Sequence, residues 1–521
     1  MREFNTFGPV NPKLHYHVNR IEVKAAVRQK IEKGRYFTLN AARQTGKTTL
    51  FREVIAELEA EGHHFGLLLD FETLRGYDRE EFYYWLKRKL IQFWRATHSR
   101  QDPILAKLQA FELKEQNGFG ELLRYLGEQS KKRGLLIIDE FDAIGAELAE
   151  PMLAVFREMY LNRDDPTFYA LQSIILVGVR NIPALLGGSQ SPFNIADQYE
   201  VPYFTPAETA GLLAQHTAET GQALTPEVIE ALQHETEGQP FLVNRLGQLL
   251  TQELVPQRDQ TIGLPDFKRA LDKLLKENNT HFASITSKAI PHRAVLSPIL
   301  FYDQKRANFR DPVTQELLMY GILRVVEDDF GAQVARVANP IYRKMLILTF
   351  TPPNGEIPIN GSPRHRYVVE GALNMEGLLN GFQEMMTEHG VRLLRSKQAD
   401  RPLEIGGQYL LLSYLTAALD SIGGHITLES VNSAGEMDLL VFYRGARFII
   451  ETKVWYGLKR FEAGQQQLVA YLAASNLDKG YIVLFSEAPL VEALGPAAAA
   501  PFAVMVSNKH IHTYPIVIGR K

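Results

Sequence analysis

The stretch Asn40–Leu50, NAARQTGKTTL, decides the fold of the first half of the chain. It follows RYFTLN, which is typical of a buried strand, and it opens KTTLFREVIAELEAEG, which has the apolar spacing of a helix. Gly46, Lys47 and Thr48 match the end of the phosphate-binding template G-x-x-x-x-G-K-[ST], whereas Ala41 replaces its first glycine. A strand, this loop and a helix in that order predict a phosphate site at the start of the helix.

This P-loop supplies most of the residues that we expect to hold ATP. The Lys47 ammonium would reach the β- and γ-phosphates, and the Thr48 hydroxyl would bind Mg²⁺. Arg43 would either contact phosphate or lie at a subunit boundary. Because backbone N–H groups of such a loop cradle phosphates, the whole stretch is predicted to bind the nucleotide. Its residues are Ala41, Ala42, Arg43, Gln44, Thr45, Gly46, Lys47, Thr48 and Thr49.

A second acidic motif lies in LLIIDEFD, where an apolar strand ends in Asp139 and Glu140. Asp139 is the expected Mg²⁺ ligand, and Glu140 is the expected base for the attacking water. The alternative is a core strand whose end carries surface acids. The two motifs, in this order and in these elements, predict ATP binding and hydrolysis.

The rest of the chain divides into several predicted domains. FGLLLDFE, GLLIID and SIILVGV are near-continuous apolar strands between helices, which predicts a parallel sheet covered on both faces. Three segments with helix-start chemistry then indicate a helical lid, and two helices followed by two strands indicate a winged helix. TPPNGEIPINGSP has the composition of a linker. The predicted α/β architecture is therefore a P-loop core (1–204), lid (205–290), winged helix (291–350), linker (351–365) and a second α/β domain (366–521).

The second domain carries its own candidate site in SAGEMDLLVFY and ARFIIETK. Residues two apart on a strand share a face, so Glu451 and Lys453 point the same way. If the two strands are neighbours, Asp438 and Glu451 can converge on one Mg²⁺ ion. Lys453 would then orient the attacking water or neutralise developing charge. The alternative is a surface ion pair at a solvated strand end.

Two resemblances extend these predictions. NAARQTGKTT, IIDEFD, ILVGVRN, SPFNIAD, YFTPAE and TEGQPFLVNR resemble AAA-like ATPases related to the STAND and Orc/Cdc6 proteins, over about residues 1–350. This resemblance implies that Arg180 is a sensor arginine facing the γ-phosphate. It also implies that the turn containing Gly238, Gln239 and Pro240 lies near the nucleotide, as does Arg245 in the lid.

The last domain, about residues 366–521, resembles the PD-(D/E)XK nuclease superfamily. The match rests on Asp438, Glu451 and Lys453, and on Gln467 and Tyr471 in the following helix, GQQQLVAYL. Met437 stands where a proline is often found. The resemblance implies Asp438 and Glu451 as ligands of Mg²⁺ or Mn²⁺, Gln467 as a further site residue, and Glu404 and Glu429 as outer acids.

The predicted function is an ATPase coupled to a metal-dependent nuclease that cleaves nucleic acid, with DNA as the first candidate substrate. Defence and repair both suit such a fusion, and the ATPase is the expected surface for homo-oligomer assembly. The alternative is a nucleotide-dependent switch whose nuclease-like domain only binds nucleic acid or a partner. DNA contact by the winged helix would rest on Lys305, Arg306 and Arg310. At the nuclease site, Lys459 and Arg460 join Lys453 as candidate phosphate contacts.

Composition limits the other options. The net charge is −3, so contact with nucleic acid must come from local basic patches. The chain has no cysteine, which excludes disulfides, thiolate zinc sites and a cysteine nucleophile. It also lacks a long apolar run and an apolar leader, which predicts a cytoplasmic protein without a membrane span.

Overall fold

The computed structural model describes residues 1–40, 44–97, 102–165, 171–178, 197–302, 309–327, 331–350, 367–394, 410–412, 414–416, 418–419, 422–427, 439–486 and 488–517. They fall into two compact units, one of 1–288 with 306–341 and one of 289–305 with 342–521. Several predicted positions lie outside the described residues: Ala41, Ala42, Arg43, Arg180, Lys305, Arg306, Glu404, Glu429, Met437, Asp438 and the linker 351–365.

A five-stranded parallel sheet forms the centre of the first unit. Its strands are β1 (Phe37–Asn40), β2 (His64–Asp70), β3 (Arg133–Asp139), β4 (Ser173–Gly178) and β5 (Asp197–Glu200). They lie in the order β2-β3-β4-β1-β5, and every neighbouring pair is parallel. The predicted parallel sheet is confirmed, and β1 and β3 end at the same edge on either side of β4.

Helices cover both faces of this sheet. They are α1 (Ile21–Glu32), α2 (Lys47–Ala60), α3 (Arg79–Thr97), α4 (Pro103–Ala110), α5 (Gln116–Ser130) and α6 (Ala146–Leu161). Because side chains alternate along a strand, Leu136 and Ile138 enter one hydrophobic core while Leu135 and Ile137 enter the other. Burial on both faces explains why β3 is apolar at nearly every position.

The next helices lie in the region that was predicted to form a lid. They are α7 (Pro206–Thr220), α8 (Pro226–Thr236), α9 (Pro240–Gln248), which runs on into a π-helical turn (Leu249–Leu254), α10 (Leu264–Leu275) and α11 (Thr280–Ala289). The first three begin with proline, which lacks the N–H that a helix start leaves unpaired. Thr205 and Glu208 form a capping box at the start of α7. The predicted helix starts are confirmed.

Residues 291–350 contain the predicted order of two helices and a hairpin. These elements are α12 (Arg293–Tyr302), α13 (Pro312–Met319), β6 (Leu323–Glu327) and β7 (Gln333–Val337), followed by α14 (Pro340–Phe350). Strands β6 and β7 pair antiparallel. Helix α13 and the hairpin belong to the first unit, and α12 belongs to the second. The winged-helix arrangement itself stays a prediction.

A six-stranded mixed sheet forms the centre of the second unit. Its strands are β10 (His425–Thr427), β11 (Leu439–Tyr443), β12 (Ala446–Val454), β13 (Lys479–Ser486), β14 (Phe502–Val506) and β15 (Lys509–Val517). Their order is β10-β11-β12-β13-β15-β14. Strands β8 (Val368–Val369) and β9 (Ala372–Leu373) form a separate small hairpin.

Strands β10, β11 and β12 pair antiparallel, whereas β12, β13 and β15 run parallel. The longer helices of this unit include α15 (Met375–Leu394) and α16 (Leu458–Ala474), and residues 410–412, 414–416 and 418–419 are also helical. The two strands predicted at the candidate site and the helix predicted after them are confirmed. Strands β14 and β15 were not predicted. No helix in the described part of the chain is long and apolar enough to cross a membrane.

Candidate nucleotide cleft and C-terminal site

The described part of the P-loop has a backbone that only a few residue types adopt easily. Gly46 lies at the start of α2 with φ 84°, in the left-handed region that favours glycine. Gln44 is also left-handed, at φ 58°. Lys47 is the first residue of α2, and its side chain is 7% exposed. The loop thus brings a buried lysine to a helix N-terminus, where backbone N–H groups attract anions.

The second acidic motif lies directly beside this helix start. The Thr48 hydroxyl donates a hydrogen bond to Asp139 Oδ2 at 3.1 Å, and the Glu140 N–H donates to Asp139 Oδ1 at 3.1 Å. Burial raises the pKa of Asp139, and nearby Lys47 and the Thr48 hydrogen bond oppose that rise. A hydroxyl paired with a carboxylate is a ligand set that suits Mg²⁺, so these residues fit the predicted ion.

Glu140 lies one residue beyond the end of β3, with a left-handed backbone at φ 52°. Its position on the cleft wall, next to Asp139, suits the predicted general base. Both acids line the same cleft as the P-loop.

The cleft has a volume of about 1300 Å³ and lies at the carboxyl edge of the sheet. Predicted residues on its wall are Gln44, Thr45, Gly46, Lys47, Thr48, Thr49, Asp139 and Glu140. Residues that we did not predict include Gly8, Pro9, Arg52, Asp70, Glu72, Arg75, Asp142, Thr280, His281, Ser284, Lys288 and Tyr320. Asp70 was detectable, because it ends a strand whose register places it beside Asp139.

The predicted lid turn lies next to the P-loop. The Gln239 amide donates a long hydrogen bond of 3.5 Å to the Gln44 carbonyl, and its oxygen accepts from Leu242 N–H at 2.7 Å. Pro240 begins α9 immediately after this contact. Gly238 is left-handed at φ 75° and packs against the backbone of Phe204. The structure places this turn beside the P-loop, and its contact with a nucleotide stays a prediction.

Arg245 has a different environment from the one we expected. Its guanidinium donates to Glu277 Oε2 at 3.1 Å and to Glu253 Oε1 at 2.7 Å. The residue is not among those that line the cleft. In this conformation Arg245 is therefore ion-paired with Glu253 and Glu277 and does not line the cleft.

The C-terminal candidate site is a chain of polar contacts between β12 and α16. Lys453 forms an ion pair with Glu451, and its ammonium also donates to Gln467 Oε1 at 3.3 Å. The Gln467 amide donates in turn to the Tyr471 hydroxyl at 2.6 Å. The helix comes close at Gly464, where a Cβ atom would lie 3.0 Å from Lys453 Cε.

Glu451 is only 1% exposed, whereas Lys453 reaches partly into solvent. This pair is therefore not the exposed ion pair that the sequence left open. Strands β11 and β12 are neighbours, as the prediction required, with Leu439 opposite Ile450. Asp438 itself lies outside the described residues. Within the described ranges no group of three or more His, Asp or Glu side chains could hold a metal ion.

Comparisons with known proteins bear on the first unit. Residues 6–259 match the family model of an AAA-like domain. The chain is similar to a Walker-type ATPase of Pyrococcus abyssi, with 18% identity, a TM-score of 0.47, and coverage of 66% of this chain and 99% of that chain.

Two further solved structures are similar at lower scores. The RuvB Holliday junction branch migration motor of Thermotoga maritima has 15% identity and a TM-score of 0.35, over 64% of this chain and 96% of that chain. The Orc1 protein of Aeropyrum pernix, solved in complex with DNA, has 12% identity and a TM-score of 0.33, over 63% of this chain and 92% of that chain. No curated protein matches the sequence. Residues 6–259 thus match an AAA-like domain model, and the P-loop and the Asp139 motif on the cleft wall both lie inside that range.

Proposed function

We propose that the cleft of the first unit binds ATP with Mg²⁺ and hydrolyses it. The observation that supports this most strongly is the meeting of the P-loop lysine with the Thr48–Asp139 pair on one cleft wall. A parallel sheet binds its ligand at the carboxyl ends of its strands, which is where these residues lie.

Each residue has a distinct part in the proposed reaction. Lys47 and the N–H groups at the start of α2 hold the phosphates and neutralise the charge that develops on them. Thr48 and Asp139 would hold Mg²⁺, which supplies further neutralisation of phosphate charge when bound. Glu140 accepts the proton of the attacking water. The left-handed backbone at Glu140 turns the chain out of β3 immediately after the metal ligand.

Steady-state ATP hydrolysis tests this proposal. We expect Glu140→Gln to lower kcat by roughly 100-fold or more, since a general base contributes about 10²–10⁴-fold. Lys33→Ala, which changes an exposed lysine at the end of α1, is the matched surface control and keeps the wild-type rate. Wild-type turnover in Glu140→Gln would contradict the assigned base, and absence of turnover in the wild type would contradict hydrolysis.

We further propose that the second unit is a metal-dependent nuclease. The supporting observation is the buried Glu451 joined to Lys453, Gln467 and Tyr471 by a continuous set of contacts. A buried carboxylate is costly unless it has a partner or binds a cation. Together with Asp438, Glu451 would hold Mg²⁺ or Mn²⁺, which activates water when bound. Lys453 would orient that water, and Gln467 would hold the lysine in place.

The proposed substrate is nucleic acid, with DNA as the first candidate, and ATP binding is proposed to license its cleavage. The proposed domains are a P-loop core, a lid, a winged helix, a linker and a nuclease-like domain. The protein is proposed to be cytoplasmic and to assemble as a homo-oligomer through the ATPase module. Arg180 is proposed as the sensor of the γ-phosphate.

Cleavage of supercoiled, linear and single-stranded DNA, and of RNA, tests the nuclease. Each substrate is incubated with Mg²⁺ or Mn²⁺, with and without ATP, using the wild type and Lys453→Ala. We expect metal-dependent cutting that disappears in Lys453→Ala and changes with ATP. Lys479→Ala, at an exposed lysine on β13, is the matched control. If no substrate is cut with either metal while ATP is bound, the nucleotide-dependent switch is the better account.

A further inference from the structure

One wall of the nucleotide cleft is formed by α11, which the P-loop motifs do not identify. Thr280, Ser284 and Lys288 line the cleft at intervals of four residues, which places them on one face of the helix. His281 lies on the same wall, buried and stacked on Phe241 at 4.5 Å between ring centroids. This face presents two hydroxyls and one flexible ammonium to whatever occupies the cleft.

Lys288 supplies the ammonium group of this wall. Burial lowers the pKa of His281 to about 3, so its imidazole is neutral at physiological pH. The Lys288 ammonium donates to the Tyr320 hydroxyl at 3.2 Å and lies 4.4 Å from the centroid of that ring. Among the described residues, no carboxylate lies within ion-pair distance of it. A neutral hydroxyl and a ring face hold the ammonium in place without cancelling its charge.

We propose that Lys288 binds the phosphates of the nucleotide and that its contact with Tyr320 carries the state of the cleft to α13. The first part of this inference rests on the proposed ATP site. A nucleoside triphosphate is a strong anion, and a lysine with three donors can contact it while exchanging its hydroxyl partner. The occupant is identified by its phosphate charge, so the contact should strengthen with the number of phosphates.

The second part rests on a chain of contacts that leaves the cleft. The Tyr320 hydroxyl accepts from Lys288 and donates to Glu316 Oε1 at 2.8 Å, and Glu316 belongs to α13. Beyond α13, Arg324 of β6 donates to both oxygens of Glu237 in the lid, at 3.1 and 2.8 Å. Helix α13 and its hairpin are therefore attached to the nucleotide module at two places, one of which is the cleft wall itself.

Nucleotide titrations test the binding part. Fluorescent analogues of ATP, ADP and AMP are titrated into the wild type, Lys288→Met and Lys288→Arg. We expect Lys288→Met to weaken ATP binding about tenfold, which is typical of one charged hydrogen bond, and to weaken AMP binding less. Lys288→Arg keeps the cation and should stay within about threefold of the wild type. Lys276→Met, at an exposed lysine that ends α10, is the matched control. Thermal unfolding of each variant shows that it is folded.

A site-specific fluorophore tests the coupling part. Because the chain has no cysteine, Gln315→Cys creates a single labelling site on the exposed face of α13. We expect saturating ATP to change the fluorescence of this label, and Tyr320→Phe or Lys288→Met to abolish most of the change. A label introduced by Gln92→Cys on α3 reports whether the change is general.

The outcomes separate this inference from the function on which it rests. If the wild type binds ATP and Lys288→Met binds it equally well, Lys288 is not a phosphate ligand and the ATP site stands. If Lys288→Met weakens ATP binding but the α13 label still responds as in the wild type, the coupling is wrong. If the wild type binds no nucleotide, both the inference and the proposed ATP site are wrong.

Discussion

Burial determines how single residues behave in both candidate sites. Desolvation raises the pKa of Asp139, and Lys47 and Thr48 oppose that effect from the start of α2. Glu451 is more deeply buried, with Lys453 as its ion-pair partner. The sequence predicted candidate residues for each site, and the structure brings Thr48 to Asp139 and Lys453 to Glu451. The sequence could not give their burial, which depends on elements that are distant along the chain.

Gly238 offers a test of the lid turn at the scale of one residue. A Cβ atom there would lie 1.9 Å from the Phe204 carbonyl oxygen, and φ is +75°. We therefore expect Gly238→Ala to lower the free energy of unfolding by about 1–3 kcal/mol more than a backbone penalty alone. Chemical denaturation, followed through the helices of the first unit, measures this difference in the free energy of unfolding.

Gly221→Ala is the matched control for that measurement. Gly221 has nearly the same backbone, at φ +77°, but no atom lies within 4 Å of its Cβ position. It should cost only the left-handed backbone penalty of about 1–2 kcal/mol. Equal losses for the two variants would show that Gly238 does not pack against Phe204 as described.

His281 predicts a pH dependence of stability. Burial lowers the pKa of its imidazole from 6.5 to about 3. Between these values the unfolded chain binds a proton that the folded chain does not, so acid favours unfolding. Stability from this residue is complete above about pH 6.5 and is lost as the pH falls toward 3. Each pH unit in that window costs about 1.4 kcal/mol.

We expect His281→Phe to reduce the pH dependence of unfolding by about one proton between pH 6 and pH 4. Denaturant midpoints measured across that range give the slope. His63→Phe, at an exposed histidine, serves as the control and leaves the slope close to the wild type. An unchanged slope in His281→Phe would contradict the buried neutral imidazole.

At the scale of elements, local patterns predicted most of the first unit. Strands β1 to β4 are short apolar runs between helices, and α7, α8 and α9 each begin with proline after a polar residue. Strand β14 was missed because AAAAPFAVMV contains a proline and no clear alternation, and β15 itself contains Pro515. Both become strands by pairing with each other and with β13, which is a long-range effect.

The packing of β2 against α2 predicts a pair of compensating substitutions. A Cβ atom at Gly66 would lie 2.5 Å from Ile55 Cγ2, so the helix that carries Lys47 sits directly on this glycine. We expect Gly66→Ala to cost about 1–3 kcal/mol by overpacking and to weaken ATP binding by displacing α2. Ile55→Ala alone should cost about 2–5 kcal/mol by leaving a cavity.

The double substitution shows whether these two residues act together. If the methyl group added by Gly66→Ala clashes with the Ile55 side chain, the double variant should lose clearly less stability than the sum of the losses in the two single variants. Denaturant unfolding of all four proteins gives the coupling free energy. Simple additivity would contradict the described contact between β2 and α2.

At the scale of the whole molecule, the candidate sites differ in how far the sequence predicted them. The phosphate loop could be predicted because its residues are contiguous. Asp139 could be predicted because it ends an apolar strand, and parallel strands end at the same edge of the sheet. The α11 wall and Tyr320 were not predictable, because no local spacing links residues near 284 and 320 to a loop near 46. In the second unit, the sequence predicted the helix after β12. This helix carries Gln467, which contacts Lys453.

The central claim is that the P-loop cleft is an ATP site, and calorimetric titration of ATP with Mg²⁺ tests it most directly. We predict that the wild type binds one ATP per chain and that Lys47→Ala binds it about thirtyfold more weakly or worse, because a buried charged contact is lost. Lys33→Ala should bind ATP as the wild type does. Equal affinity of Lys47→Ala and wild type, or no binding by the wild type, would contradict the account.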